Sequence, residues 1–311
     1  VCCLIIVFIF GINIAGGIPA VVENAQSLPG YLTMMTTYDP VAGVEQPYPI
    51  INIISMIAWG LGYFGMPHIL LRFMAIEDEE KLTLSRRVAT IWVVISLAVA
   101  VLIGVIGLAM SDVGALKTLT GSDSETIIVQ IADLLSKHGI LPALLAGTIL
   151  AGILASTMST ADSQLLAASS AVSSDLFGDR VAKTGDKKKA MNAARFTLLA
   201  IAVIAAFIAR DPNSSVFGIV SFAWAGFGAV FGPVVLFALF WRRSNWQGAL
   251  AGMISGGAMV FIWKYLVRPL GGVWNIYELL PAFSVSCLMI VIVSLLTKAP
   301  SKEITEEFDR V

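Results

Sequence analysis

Apolar residues fall in runs of about twenty, divided by short polar or basic stretches. A run of that length is what an α-helix needs to cross a hydrocarbon core ~30 Å thick. Eight such segments can be drawn, near 1–22, 50–75, 88–111, 139–174, 192–209, 214–241, 248–267 and 276–297. They are continuously apolar, whereas barrel strands would alternate over runs of about ten residues. Helices are therefore predicted. The fourth run is too long for one simple span, and its Ser- and Ala-rich end near 167–175 is expected to leave the membrane as helix. The 23–49 stretch holds Pro29, Pro40, Pro47 and Pro49, which predicts an irregular, lid-like loop. The 112–138 stretch carries Ile127 to Leu135 at helical spacing and predicts a small external helix. The fold class is all-α integral membrane with about eight transmembrane helices over 1–299, followed by a short tail over 300–311.

Composition agrees with the pattern. The chain is 57% hydrophobic and only 13% charged, about half the charged share of a soluble domain. A net charge of -1, with no basic run interleaved with aromatics, excludes a nucleic-acid partner. Cys2, Cys3 and Cys287 all lie inside apolar runs, so they form neither a disulfide framework nor a metal spacing. His68 and His138 are far apart, which leaves a zinc site or a His-based triad without support. The chain opens at Val1 directly into an apolar run, with no initiator Met and no basic leader. That run is expected to be a true span whose upstream chain is missing.

Lys and Arg set the orientation. Lys81, Arg86, Arg87, then Arg180, Lys183, Lys187, Lys188, Lys189, then Arg242, Arg243, and finally Lys298, Lys302 and Arg310 fall on one side. The other side offers Lys117, Lys137, Arg210 and Arg268. The first set is expected to be cytoplasmic, with the C-terminal tail. The short tail has no room for a signalling module, which argues against a transporter-like sensor, and an intramembrane enzyme would need a compact set of titratable groups at one depth, where only Asp162 is placed.

Three stretches could carry chemistry. Ser156, Ser159, Thr160 and Ser163 follow i, i+3, i+4, i+7 spacing and share one helix face. Lipid cannot satisfy a stripe of hydroxyls. Neutral oxygens suit a weakly held alkali cation, and they equally suit close helix packing with hydroxyls bonded one turn back. Asp162 lies in the same apolar run, where a charge costs at least ~2.5–3.5 kcal/mol. It is either a functional carboxylate or a structural partner near cytoplasmic water. The second stretch, Ala58 to His68, holds Gly60, Gly62, Gly65 and Pro67 and predicts a broken span. Such breaks line cavities where secondary transporters bind solute. Trp59 and Tyr63 share a face there, as a solute wall or as an interfacial aromatic belt. His68 and Arg72 read as interfacial anchors. In the third stretch, Gly228, Gly232 and Pro233 predict close packing or a hinge.

The runs Gly62–Tyr63–Phe64–Gly65–Met66–Pro67–His68 through Met74, Ser159–Thr160–Ala161–Asp162–Ser163–Gln164–Leu165–Leu166, and Ala223–Trp224–Ala225–Gly226–Phe227–Gly228 through Gly232–Pro233 resemble the sodium:solute symporter family. The likeness is greatest to its sodium/proline branch and spans essentially the whole chain. It implies the C-terminal part of an inverted-repeat fold shared with the bacterial leucine transporter, the last eight of thirteen spans. It implies a multi-pass protein of the bacterial plasma membrane that takes up proline with sodium by alternating access. Pantothenate, a short carboxylate or a sugar is the alternative solute. Ser159 and Thr160 match hydroxyl ligands of the family's sodium ion, and Ser156 matches a carbonyl ligand. Trp59, Tyr63 and Pro67 match positions tied to proline binding. Asp162 and Ser163 are implied only as neighbours of the ion. The ion's partner helix belongs to the missing N-terminal helices. Met66 departs from the Gln that many members carry.

Overall fold

A computed structural model describes residues 2–172, 187–210 and 215–309. Arg180, Lys183 and Arg310 of the basic set, and the last residues of the Ser- and Ala-rich stretch, lie outside them. The chain divides into two compact units, 1–29 with 40–42 and 80–215, and 30–39 with 43–79 and 216–311.

In the first unit, the span expected over 1–22 is a bent pair of α1 (Cys2–Ile14) and α2 (Ile18–Ser27). They meet at an angle of 77°. Gly16 and Gly17 hold φ of +92° and +98°, a backbone that side chains disfavour, and Pro19 then starts α2. The Gly-Gly-Ile-Pro run was the sequence signal for this bend. α5 (Lys81–Asp112) and α7 (Ile140–Ala171) are unbroken helices of 32 residues each, about 48 Å long. α6 (Ile127–Ser136) is the small helix expected between them. Its Ile131, Ala132 and Leu135 pack with Val7, Ile103, Ile106, Met110 and Ile149 in the unit's core. Asn24 Nδ2 donates to Asp112 Oδ2 at 2.9 Å, joining α2 to the end of α5. α8 (Lys187–Ile208) closes the unit.

In the second unit, the stretch expected to be irregular holds an antiparallel hairpin of β1 (Thr36–Asp39) and β2 (Val44–Pro47). The prolines do not prevent it. Pro40 sits in the turn and Pro47 ends its strand, so neither removes an interior ladder bond. The span at 50–75 is broken as expected. It comprises α3 (Ile50–Ala58), a 3-10 segment (Trp59–Gly65) and α4 (Pro67–Met74), with a bend of 52°. α9 (Val216–Phe240) runs straight through Pro233 as one helix. α10 (Trp246–Ile262) continues as a π turn (Trp263–Val267), and α11 (Leu279–Leu296) and α12 (Lys302–Phe308) end the chain. A Cβ at Gly256 would lie 3.0 Å from the side chain of Ser286, and one at Gly252 would overlap the side chain of Ile290. Small residues thus let α10 and α11 approach closely.

Six described helices are long and apolar enough to cross a membrane, and the two bent pairs raise the number to eight. Large side chains on them stand exposed, among them Val88, Ile91 and Val94 on α5 and Phe196, Val203 and Phe207 on α8. Apolar surface on that scale is not left in contact with water by a soluble monomer. The protein is a helical integral membrane protein.

Candidate functional site

Ser156, Ser159, Thr160, Asp162 and Ser163 all lie on α7, in the first unit, and all are exposed. The helix is unbroken through them, so the i, i+3, i+4, i+7 positions do share a face. Thr160 Oγ1 donates to the carbonyl of Ser156 at 3.2 Å, and Ser163 Oγ donates to the carbonyl of Thr160 at 2.8 Å. Each of these hydroxyls spends its proton on its own helix. Its oxygen keeps acceptor lone pairs directed away from the backbone. The Ser156 carbonyl, by contrast, already receives a side-chain donor.

Trp59, Tyr63 and Pro67 belong to the second unit. Pro67 pushes the residue before it out of the α region, and Met66 is extended at φ -83°, ψ 112°. The Met66 carbonyl then accepts the N–H groups of Ile69 and Leu70, both at 3.0 Å, and so starts α4. Met66 itself is buried among Ala58, Trp224 and Phe283. Its departure from Gln therefore falls in packing.

Trp59 is held by rings on several sides. It stacks on Phe217 at 5.3 Å, Trp224 at 5.5 Å and Tyr277 at 5.9 Å. Trp224 Nε1 donates to the Trp59 carbonyl at 3.0 Å, and Tyr63 meets the Trp224 ring edge-on. A Cβ at Gly62 would overlap the Trp224 indole, and one at Gly228 would lie 2.7 Å from the Gly62 Cα. Glycines on both partners thus bring the 3-10 segment against α9. Tyr63, 51% exposed, and Pro67 stay open at the break, whereas Trp59 is partly covered.

Sequence reasoning missed a cluster beside this stack. Glu278, 1% exposed, binds Arg268 Nη1 through Oε2 at 2.8 Å and lies 3.8 Å from Lys264 Nζ through Oε1. Arg268 Nε also donates to Asn275 Oδ1 at 3.0 Å. Lys264 Nζ sits 3.8 Å over the Phe222 ring, a cation–π contact. Next to the cluster is a recess of about 100 Å³ lined by Asn52, Ser55, Trp59, Ser221, Arg268 and Tyr277, among others. The one sequence signal was a pair of cations and an acid near the ends of apolar runs, which spacing alone does not join. Among the described residues no group of three His, Cys, Asp or Glu could hold a metal ion.

The sodium:solute symporter family matches residues 1–256, so Arg268, Asn275 and Tyr277 lie past the match. The high-affinity proline transporter PutP of Bacillus subtilis is 41% identical over 261 residues, 84% of this chain and 52% of that protein. A sodium/proline symporter of Salmonella typhimurium is 42% identical over 259 residues, 83% of this chain and 50% of that protein. The osmoregulated proline transporter OpuE of B. subtilis is 40% identical over 253 residues, 81% of this chain and 49% of that protein. The chain spans about half the length of the curated relatives it matches.

Proposed function

Because the chain belongs to the sodium:solute symporter family, we propose that it is part of a transporter coupling sodium entry to uptake of a small solute, with L-proline as that solute. The observation that carries this is the exposed hydroxyl face of α7. On it Thr160 and Ser163 give their hydroxyl protons to the helix backbone, which leaves their oxygens free to accept. Sodium binds at Ser159 and Thr160, and the Ser156 carbonyl joins when the Thr160 hydroxyl rotates off it. Asp162 and Ser163 flank the ion. The remaining ligands come from N-terminal helices of the full-length transporter.

The solute binds at the broken span, where an interruption frees backbone polar groups near the midplane. Tyr63 and Pro67 are open there, and Trp59 braces the segment. Sodium favours the solute-ready outward state, and the bundle then rocks to release both inside. One charge moving inward contributes about 2.3 kcal/mol per 100 mV, and a tenfold sodium gradient adds about 1.4 kcal/mol. At one-to-one stoichiometry, those terms support several-hundred-fold accumulation. The protein sits in the bacterial plasma membrane with its C-terminus cytoplasmic. It makes and breaks no covalent bond. Named relatives are proline transporters, and the buried Met66 gives no reason to prefer another solute.

The test is uptake of labelled proline by the full-length protein in proteoliposomes. Replacing external sodium with potassium is expected to abolish accumulation. Equal uptake in the two salts would end the coupling model, and sodium-driven uptake of pantothenate or a sugar in preference to proline would change the solute.

A further inference from the structure

The 3-10 segment Trp59–Gly65 runs for seven residues, about twice the length at which such helices usually end. Contacts from outside the segment therefore hold it. Residues three apart eclipse in a 3-10 helix, so Trp59, Gly62 and Gly65 stand in one line. All three meet α9. Trp224 Nε1 donates to the Trp59 carbonyl at 3.0 Å, and the two rings stack. A Cβ at Gly62 would overlap the Trp224 indole, and one at Gly65 would overlap the Phe227 carbonyl oxygen. On α9 itself, Trp224, Gly228 and Gly232 follow one another at four-residue spacing, and the segment lies along that row.

An α-helix would not fit the row. It turns about 100° per residue, so every third residue drifts by about 60°. Gly65 would then stand about 120° away from the line of Trp59. Docking on α9 thus selects the three-residue turn, and the consequence falls on Tyr63. In the 3-10 form Tyr63 is about a third of a turn from Trp59. It is 51% exposed there, edge-on to the Trp224 ring. In an α-helix it would lie within about 40° of Trp59 and turn toward the covered stack of Phe217 and Tyr277.

We propose that Trp224 is a positioning residue for the solute: it holds residues 59–65 in the three-residue turn and so keeps Tyr63 facing the opening at the break. The proposal rests on the solute site assigned to that break. It adds a residue that acts through the backbone of the segment rather than by contact with the solute.

The experiment uses the full-length protein with two replacements at position 224. Trp224→Phe removes the indole donor and the second ring over Gly62. Insertion of 3-benzothienylalanine keeps the bicyclic shape and removes only the donor, which decides the matter if Trp224→Phe does not fold. In proteoliposomes at saturating sodium, each is expected to raise the proline KM at least about threefold, as loss of one hydrogen bond would, with kcat within about twofold. Hydrogen exchange in detergent is expected to quicken at the amides of 60–66 and to stay unaltered in α10 and α11. Gly226→Ala, on the same helix with open space around its Cβ, is expected to keep the KM of the unaltered protein. A residue that merely supported the fold would lower the amount of active protein and leave KM alone. An unaltered KM in both replacements, or unaltered exchange at 60–66, would overturn the proposal. Absence of proline uptake by the unaltered protein would instead remove the solute assignment, and the exchange result would still decide whether Trp224 holds the segment.

Discussion

Trp59 shows how one side chain can be both near a site and part of its support. A ring stacked on Phe217, Trp224 and Tyr277 is fixed in orientation. Its carbonyl is fixed too, by the Trp224 indole N–H. Trp224→Phe keeps an aromatic body and removes that donor, so it should lower stability by about 1 kcal/mol. A drop of a few degrees in the thermal midpoint of the detergent-solubilised protein would register it, and an unchanged midpoint would show the bond to be dispensable. Both residues were visible in the sequence, Trp59 as a solute wall and Trp224 within a familiar run. Their mutual contact was not, because it joins positions 165 apart. Glu278 was missed for another reason, since its partners Arg268 and Lys264 are near in sequence. A carboxylate at the edge of an apolar run looks like an ordinary boundary residue until Arg268 and Lys264 are folded onto it.

At the scale of elements, helix existence was legible because apolar runs of spanning length have few other uses in a chain this poor in charge. The break at Pro67 was legible from backbone chemistry alone. The 77° bend after α1 was not drawn, although Gly16, Gly17 and Pro19 encode it. The hairpin was hidden because prolines at turn and strand end look like breakers in a linear reading. Glycine placement gives a controlled test of packing. A Cβ at Gly228 meets the Gly62 Cα at 2.7 Å and Leu279 at 2.9 Å, whereas one at Gly226 meets nothing within 4 Å. Gly228→Ala should therefore destabilise by about 1–3 kcal/mol through overpacking. Gly226→Ala on the same helix should be neutral or gain up to about 1 kcal/mol of helix propensity. Equal thermal midpoints for the two variants would refute the close approach of the 3-10 segment to α9.

Across the whole molecule, orientation rests on the distribution of Lys and Arg. Two exposed positions report it, Gly43 in the hairpin turn and Lys302 at the start of α12. In a full-length background without native cysteines, a single cysteine at position 43 should react with a membrane-impermeant maleimide added to intact cells. One at 302 should react only after permeabilisation. The reverse pattern would invert the topology. The candidate ion face was legible as a spacing, and helix α7 preserves that spacing. Its choice between packing and cation binding was not legible, since both uses call for the same residues. The face is exposed here, and Thr160 and Ser163 on it donate back to their own helix.

Sodium dependence of proline uptake by the full-length Ser159→Ala/Thr160→Ala protein is the most direct measurement. Loss of two oxygen ligands from a small-cation cage should raise the sodium concentration for half-maximal uptake by at least about tenfold, with the protein still folded and inserted. A half-maximal sodium concentration equal to that of the unaltered protein would mean that α7 does not hold the coupling ion.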